Sequence, residues 1–344
     1  MKKHLILLLL LPSILFSQEN VKFSESIVVE DLKTHLTILS SDYFEGRETG
    51  KKGQKMAADY IANHFKNIGI PPFKKDTYYQ KFKVKSGRHI CKCDDCDVNF
   101  VKKLFGNKKK IKGENVLGYI EGTDLKEELI IITAHYDHLG KHDSLIFNGA
   151  DDDGSGTVAV LEIAEAFMLA KKAGSGPRRS VLIMPVSGEE KGLLGSKYYT
   201  DHPIYPLENT VANLNIDMIG RLDDWHDTAN YVYLIGADRL SQELHDISEQ
   251  VNKEHIGLNL DYKFNEEDDP NRYYYRSDHY NFAKHNIPVI FYFNGVHEDY
   301  HKVTDTVEKI DFEKIQTITR LVFLTAWELA NRDERIVVDK PTKK

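Results

Sequence analysis

The sequence predicts a three-layer α/β/α fold in which helices cover both faces of a central mixed, mostly parallel sheet. From Asn115 onward, apolar runs of strand length alternate with segments of helical periodicity, as in a largely parallel sheet. The 344 residues are 41% hydrophobic and 29% charged, an ordinary globular composition that allows a core of useful size. Acidic and histidine-containing segments follow several apolar runs, and ligands of such sheets bind beyond the carboxyl ends of the strands.

Two helices are predicted ahead of the sheet, because apolar residues recur there at helical spacing. These residues are Leu32, Leu36 and Leu39 in the first helix and Ala57, Ile61 and Phe65 in the second. Gly69 follows the last apolar position and is expected to end the second helix.

The alternating part of the chain supplies the sheet and its remaining helices. We expect strands at 116–120, 129–133, 181–186, 211–216, 231–235 and 287–293, and helices at 157–173, 240–251 and 315–330. With no internal repeat or linker, residues 18–335 are predicted to form a single domain, followed by a polar tail at 336–344. The stretch at about 71–113 breaks the pattern and is predicted to be a surface insertion or hairpin.

The first seventeen residues have the order of a secretory signal peptide. Lys2 and Lys3 precede a mostly apolar run at 5–16, and Ser17 supplies a small residue for cleavage. The run is shorter than the roughly 20 residues that span a bilayer, so we expect no stable membrane anchor. A short buried helix is the alternative. The prediction is an exported protein, periplasmic or secreted.

The cysteines of the chain are Cys91, Cys93 and Cys96, all in the expected insertion. A local disulfide is compatible with export and is favoured. A clip of three thiolates on a metal stays open, although no fourth ligand lies nearby in the sequence. Neither alternative assigns the cluster a role in catalysis.

The charge of the chain argues against a nucleic-acid partner. The net charge is -7, whereas a phosphate-binding surface needs clustered positive charge. One basic run lies at 108–112, and a solvated lysine hairpin accounts for it.

Five segments carry side chains suited to metal binding and hydrolysis. Their residues are His135 and Asp137; Asp151, Asp152 and Asp153; Glu189 and Glu190; Asp217; and His301. Residues two apart in an extended chain face the same way, so His135 and Asp137 can combine a ligand with its orienting carboxylate. Of two adjacent glutamates, one can bind metal while the other takes a proton from water.

A calcium-binding loop or helix capping could explain acidic residues before a helix, but neither accounts for all three adjacent aspartates. The alternate acids and final glutamate of an EF-hand are absent, and helix capping explains one aspartate but not three. Nitrogen and carboxylate ligands without thiolate suit zinc and related divalent ions. Five ligands with one shared carboxylate would make two such sites.

The ordered segments resemble metallopeptidase family twenty-eight, the zinc aminopeptidases of the bacterial leucyl type. The resemblance covers roughly residues 30–330 and includes Gly46-Arg47 through Gly50, the stretch at 276–280 and the stretch at 286–288. It implies a zinc peptidase domain that uses two Zn²⁺ and a peptide substrate. The aspartate at 151 departs from the family pattern, which has Asn before the bridging Asp, and makes Asp151 a rival for the bridge.

The resemblance also implies roles for individual residues. One zinc would be held by His135, Asp152 and Asp217, and the other by Asp152, Glu190 and His301. Glu189 would be the general base, Asp137 would orient His135, and Tyr300 would assist the oxyanion.

An N-terminal exopeptidase is therefore the expected function, with a carboxypeptidase, a single-zinc glutaminyl cyclase and a non-catalytic binding module as alternatives. Acids that need not all bind metal are expected to attract the substrate ammonium group. They are Asp151, Asp153, Glu189, Asp223 and Asp224. Arg221 keeps the carboxypeptidase open, because an arginine can bind a carboxylate with two hydrogen bonds.

Overall fold

A computed structural model describes residues 21–85 and 110–341 of the chain. The predicted signal peptide and the cluster from Cys91 to Cys96 lie outside these residues, so both stay predictions. Within the described ranges, no helix has the length and apolar composition that crossing a bilayer requires.

Within residues 21–85 and 110–341, the strands form one large sheet and two small ones. In chain order they are β1 Tyr79–Lys85, β2 Lys110–Val116, β3 Gly118–Ile120, β4 Leu125–His135, β5 Gly140–His142, β6 Leu145–Phe147, β7 Arg179–Val186, β8 Thr210–Ile216, β9 Tyr231–Ile235, β10 Asn259–Asp261 and β11 Val289–Phe293. The large sheet has the order β10-β9-β11-β8-β4-β7-β3. Its centre, β11-β8-β4-β7, is parallel, whereas β9 and β3 run antiparallel to β11 and β7.

The helices pack on both faces of this sheet. They are α1 Val29–Leu39, α2 Lys52–Ile68, α3 Gly156–Lys172, α4 Leu194–Asp201, α5 Gln242–Val251, α6 His279–Ala283 and α7 Phe312–Asn331. Successive strand side chains point to opposite faces. In β4, Ile130 and Ile132 accordingly share a core with α1, α2, α3, α5 and α7. Ile131 faces a second core, to which α4 and α6 contribute Tyr199 and Phe282.

The predicted alternation of strands and helices is confirmed, with local differences. The run predicted as one strand at 116–120 is divided at Leu117. Val116 ends β2, which pairs with β1 in a separate sheet, whereas β3 belongs to the large sheet. The short elements β10, α4 and α6 were not predicted, since three to eight residues give too little periodicity. Gly69 ends α2 with φ at 93°, a conformation that glycine adopts without a Cβ clash.

The described part of the predicted insertion is an antiparallel pair of strands. Tyr79–Lys85 pairs residue by residue with Lys110–Val116. The pair contacts α4, where the rings of Phe82 and Tyr198 lie 5.7 Å apart. The boundaries of the insertion stay a prediction, because residues 86–109 lie outside the described part.

A buried carboxyl group on α3 makes stability depend on pH. Burial, with lesser contributions from Asp31 and Glu165, raises the pKa of Glu162 from 4.5 to about 8. The nearest histidine nitrogen, Nε2 of His35, lies 3.6 Å away, and the pKa of that imidazole is lowered to about 4 by burial and by His64. The folded state therefore holds the Glu162 proton more tightly than the unfolded chain does. The stability that the Glu162 proton contributes to the folded state is therefore full below pH 4.5 and is lost as the pH rises through 8.

Replacing Glu162 by Gln should raise the melting temperature more at pH 8 than at pH 5, because Gln has no charge to bury. One unit of pKa corresponds to about 1.4 kcal/mol, so we expect an extra gain in unfolding free energy of about 1–3 kcal/mol at pH 8. Thermal denaturation at both pH values measures the effect. Exposed Glu328, on α7, provides the control Glu328→Gln, for which no such difference is expected. An equal gain at both pH values would contradict a buried, titrating carboxyl.

Candidate metal centre

The candidate ligands meet at the carboxyl edge of the parallel strands. His135 is the last residue of β4, Asp217 follows β8 directly, and Glu190 lies in the loop after β7. These strands are neighbours in the order β8-β4-β7, so their carboxyl ends bring the three side chains together. The loop after β11, which is parallel to β8, delivers His301 to the same edge.

Asp152 occupies the middle of the cluster. Its Oδ1 lies 3.2 Å from Nε2 of His135, and its Oδ2 lies 3.1 Å from Nε2 of His301. Each carboxylate oxygen therefore faces a different histidine, which is the arrangement that a bridging ligand requires.

Two half-sites complete this arrangement. Nε2 of His135 lies 3.4 Å from Oδ1 of Asp217, and Nε2 of His301 lies 3.3 Å from Oε2 of Glu190. Ligand atoms about 2.0–2.2 Å from one tetrahedral ion lie roughly 3.3 Å apart, so both separations match a shared ion. All five residues predicted as ligands are thus brought together.

The electrostatics of the cluster fit bound cations. Burial disfavours the charged form of Asp152, but the imidazoles of His138, His135 and His301 hold its pKa well below the usual range. Burial likewise opposes protonation of His301, yet the carboxylates of Glu190 and Asp152 raise its pKa to about 12. The carboxylates thus pull protons onto the imidazoles, and a divalent cation would satisfy them instead. Among the described residues, buried Oδ2 of Asp152 and Oε1 of Glu190 have no well-aligned hydrogen-bond donor, although Nε2 of His301 and Nδ1 of His138 lie 3.1 and 2.9 Å from them.

Glu189 lies beside the ligands. Its Oε2 is 4.0 Å from Nε2 of His135, and its backbone N–H donates to Oδ1 of Asp137 at 3.2 Å. Burial raises the pKa of Glu189 well above its usual value; His135 opposes this and Glu190 and Asp217 add to it. A carboxylate with raised proton affinity at the edge of a metal centre is suited to accept a proton.

Asp137 holds His135 mainly through its backbone. The Nδ1–H of His135 donates to the carbonyl oxygen of Asp137 at 3.0 Å, whereas the Asp137 carboxylate lies 3.9 Å from Nδ1. That carboxylate instead accepts from the Thr49 hydroxyl at 2.5 Å and from the Glu189 backbone. Asp137 therefore links His135 to Glu189.

Two acids that the sequence made rivals or ammonium ligands accept other hydrogen bonds, although an oxygen of Asp153 lies within 4.8 Å of ligand atoms of His135 and Asp217. Asp153 accepts the backbone N–H groups of His135, Gly156 and Met218 at 3.0, 2.9 and 3.1 Å. Oδ1 of Asp151 accepts the N–H of Gly220 at 2.6 Å, and its Oδ2 lies 3.2 Å from Nε2 of His297. Asp151 therefore points away from the position between His135 and His301 where the Asp152 carboxylate lies.

Asp223 and Asp224, which were also expected to attract the substrate ammonium group, differ in their surroundings. Buried Asp223 accepts from the hydroxyl groups of Tyr231 and Tyr233 and lies 2.9 Å from Nδ1 of His226. Asp224 is exposed.

Tyr300 contacts the cluster through its ring. The ring stacks on His301 with centroids 3.8 Å apart. Burial raises the pKa of Tyr300 well above its usual value, and the nearby carboxylates of Asp152 and Glu190 add to the rise, so the phenol keeps its proton.

Several residues that support the ligands were not singled out from the sequence. Nδ1 of buried His138 lies 2.9 Å from Oε1 of Glu190. The Ser277 hydroxyl donates to Oδ2 of Asp217 at 2.6 Å. Asp305 accepts the backbone N–H groups of Asp151 and Asp152. Position in the sequence could have pointed to two of them. His138 follows His135 and Asp137 in one segment, and Ser277 lies in the stretch at 276–280 that carries the family resemblance.

The fold and the two half-sites, one around His135 and one around His301, are typical of α/β metallopeptidases. The chain belongs to peptidase family M28, whose profile matches residues 115–326, more than half of the sequence.

Known relatives show which activities occur among similar proteins. Aminopeptidase YwaD of Bacillus subtilis is 28% identical over 234 residues, which are 64% of this chain and 46% of that protein. A probable glutamate carboxypeptidase of Arthroderma benhamiae is 36% identical over 105 residues, covering 30% of this chain and 14% of that protein. The chain therefore spans less than half the length of either relative.

A solved structure shows how far the fold is shared. The LapA aminopeptidase of Legionella pneumophila has a TM-score of 0.69 at 21% identity, covering 92% of this chain and 75% of that chain.

Proposed function

We propose that the protein is a zinc-dependent aminopeptidase that hydrolyses the N-terminal bond of peptides. The observation that carries the proposal is the position of Asp152, whose two oxygens face the separate half-sites of His135 and His301, with Glu189 alongside. Relatives named as aminopeptidases support the same activity.

The donor set supports two zinc ions. His135, Asp152 and Asp217 would hold one, and Asp152, Glu190 and His301 the other, with imidazole and carboxylate ligands that suit zinc. Zinc supplies Lewis acidity, which makes water a stronger acid and polarises a carbonyl group.

The remaining chemistry falls to the side chains of the chain. The Glu189 carboxylate would take a proton from the attacking water and pass it to the leaving amine. Its backbone bond to Asp137 fixes the loop that carries it. The protonated Tyr300, stacked on His301, would donate a hydrogen bond where negative charge develops on the substrate oxygen.

The charge around the site favours an ammonium group over a carboxylate. Burial is the main cause that raises the pKa of Asp278 to about 7, and the nearby acids Asp137 and Asp217 add to the rise. Arg221, the residue that kept a carboxypeptidase open, is paired with Asp299 at 2.9 Å. An ammonium would be attracted to this field, and a terminal carboxylate repelled.

We also propose export, on the strength of the charged, apolar and small-residue order at 1–17. The activity would then act on peptides in the periplasm or outside the cell.

The test of function is a set of matched peptides blocked at one end or the other, assayed with metal-replete protein. N-acetylation should abolish cleavage, because it removes the ammonium charge, while C-terminal amidation should be tolerated. The release of single amino acids measures both. Cleavage that survives N-acetylation but is lost on amidation would establish the carboxypeptidase instead. Cyclisation of N-terminal glutamine without hydrolysis would establish the cyclase.

A further inference from the structure

The segment before α2 contacts the loops that carry the candidate ligands. The guanidinium of Arg47 is 1% exposed and donates to four backbone oxygens. These are the oxygens of Leu39, Tyr136, Asn148 and Gly149, at 3.0, 2.9, 2.6 and 2.8 Å. Tyr136 lies between His135 and Asp137, and Gly149 begins the loop of Asp152. Arg47 therefore hydrogen-bonds both the loop of His135 and the loop of Asp152 to the same N-terminal segment.

Thr49 makes the contact from this segment that reaches functional side chains. Its hydroxyl donates to Oδ2 of Asp137 at 2.5 Å, and the residue is 5% exposed. The other oxygen of Asp137 accepts the backbone N–H of Glu189, and the Asp137 carbonyl accepts from Nδ1 of His135. One buried residue thus connects Thr49 with both the histidine and the base.

We propose that Thr49 is a positioning residue for the reaction, acting through Asp137 on Glu189 and His135. The Thr49 hydroxyl fixes the rotation of the Asp137 carboxylate, so that Oδ1 stays aimed at the Glu189 backbone. Without this donor, the fully buried Asp137 carboxylate loses the hydroxyl from which Oδ2 accepts, and it turns towards another donor. The Glu189 loop and the His135 ring would then lose their alignment. The role rests on the proposed function, because it assigns Glu189 as the base.

Thr49→Val tests the role, because Val has nearly the same shape but no hydroxyl. Loss of a hydrogen-bond partner of a metal ligand typically costs about 10–100-fold in affinity or activity. Thr49 acts one residue further away, through Asp137, so we expect kcat to fall by about 10-fold, the lower end of that range, with KM little changed. Zinc should also be lost faster to a competing chelator. Thr49→Ser keeps the hydroxyl and should restore both properties to within a few fold of the unchanged protein.

Thr319→Val provides the matched control. Thr319 is a fully buried threonine of α7 whose hydroxyl donates to the backbone oxygen of Ile315 at 2.7 Å, so its replacement measures the general cost of losing a buried hydroxyl. Unchanged kcat and zinc release in Thr49→Val would overturn the role. Equal losses in Thr49→Val and Thr49→Ser, accompanied by equal drops in melting temperature, would also overturn it in favour of packing. The chelator experiment needs no substrate. It therefore separates a failure of the role from a failure of the proposed peptidase activity.

Discussion

Glu189→Gln is expected to lower kcat by about 10²–10⁴-fold while zinc remains bound, since that is the usual contribution of a general base. Gln keeps the shape of the side chain, and the backbone bond from residue 189 to Asp137 does not involve the side chain. The substitution therefore removes the proton acceptor without disturbing the loop. KM should change little, because the two metal half-sites remain intact.

The adjacent Glu190→Gln is the natural comparison. Glu190 faces His301 and His138 within the second half-site, so its replacement should reduce zinc content as well as turnover. Steady-state kinetics and elemental analysis of both variants distinguish the roles. Near-normal turnover in Glu189→Gln would show that another group takes the proton.

The sequence predicted the strands of the sheet better than their directions. The strand at 231–235 has the predicted bounds, because its five residues are all aliphatic or aromatic and buried, with side chains alternating between the two cores. Its antiparallel pairing with β11 was not predictable, since a buried strand has the same apolar pattern in either direction. The break at Leu117 was hidden for a related reason: the last residue of β2 and all of β3 lie in one apolar run at 116–120, but the two strands belong to different sheets.

The candidate ligands were predictable because each lies at the end of a strand or in a loop, whereas the roles of their neighbours were not. Asp151, Asp152 and Asp153 are chemically identical in the sequence. Their difference arises from distant backbone donors, since Met218 binds Asp153 and Gly220 binds Asp151. Thr49 was missed for the same reason, as 88 residues separate it from Asp137. Only the folded chain brings such pairs into contact.

Asp152→Asn is expected to be the most damaging single substitution in the centre. The wild-type protein should hold about two zinc ions per chain, as a site with two metals requires. Asp152 faces both half-sites, so replacing one of its oxygens with an amide nitrogen removes a ligand atom and the charge that both ions share. Zinc content should fall below one per chain after dialysis, and kcat/KM should fall further than in Glu189→Gln.

Asp151→Asn is the control that tests the choice between adjacent aspartates. The Asp151 oxygen that accepts from Gly220 has an equivalent in the amide oxygen of Asn, so this variant should keep its zinc and most of its activity. Elemental analysis of both proteins, purified without added metal or chelator, measures the difference. Loss of zinc from Asp151→Asn with retention in Asp152→Asn would move the bridge to Asp151. A saturated content of one zinc in the fully active wild-type protein would instead contradict the two-metal centre, because Asp152 would then have no second ion to bind.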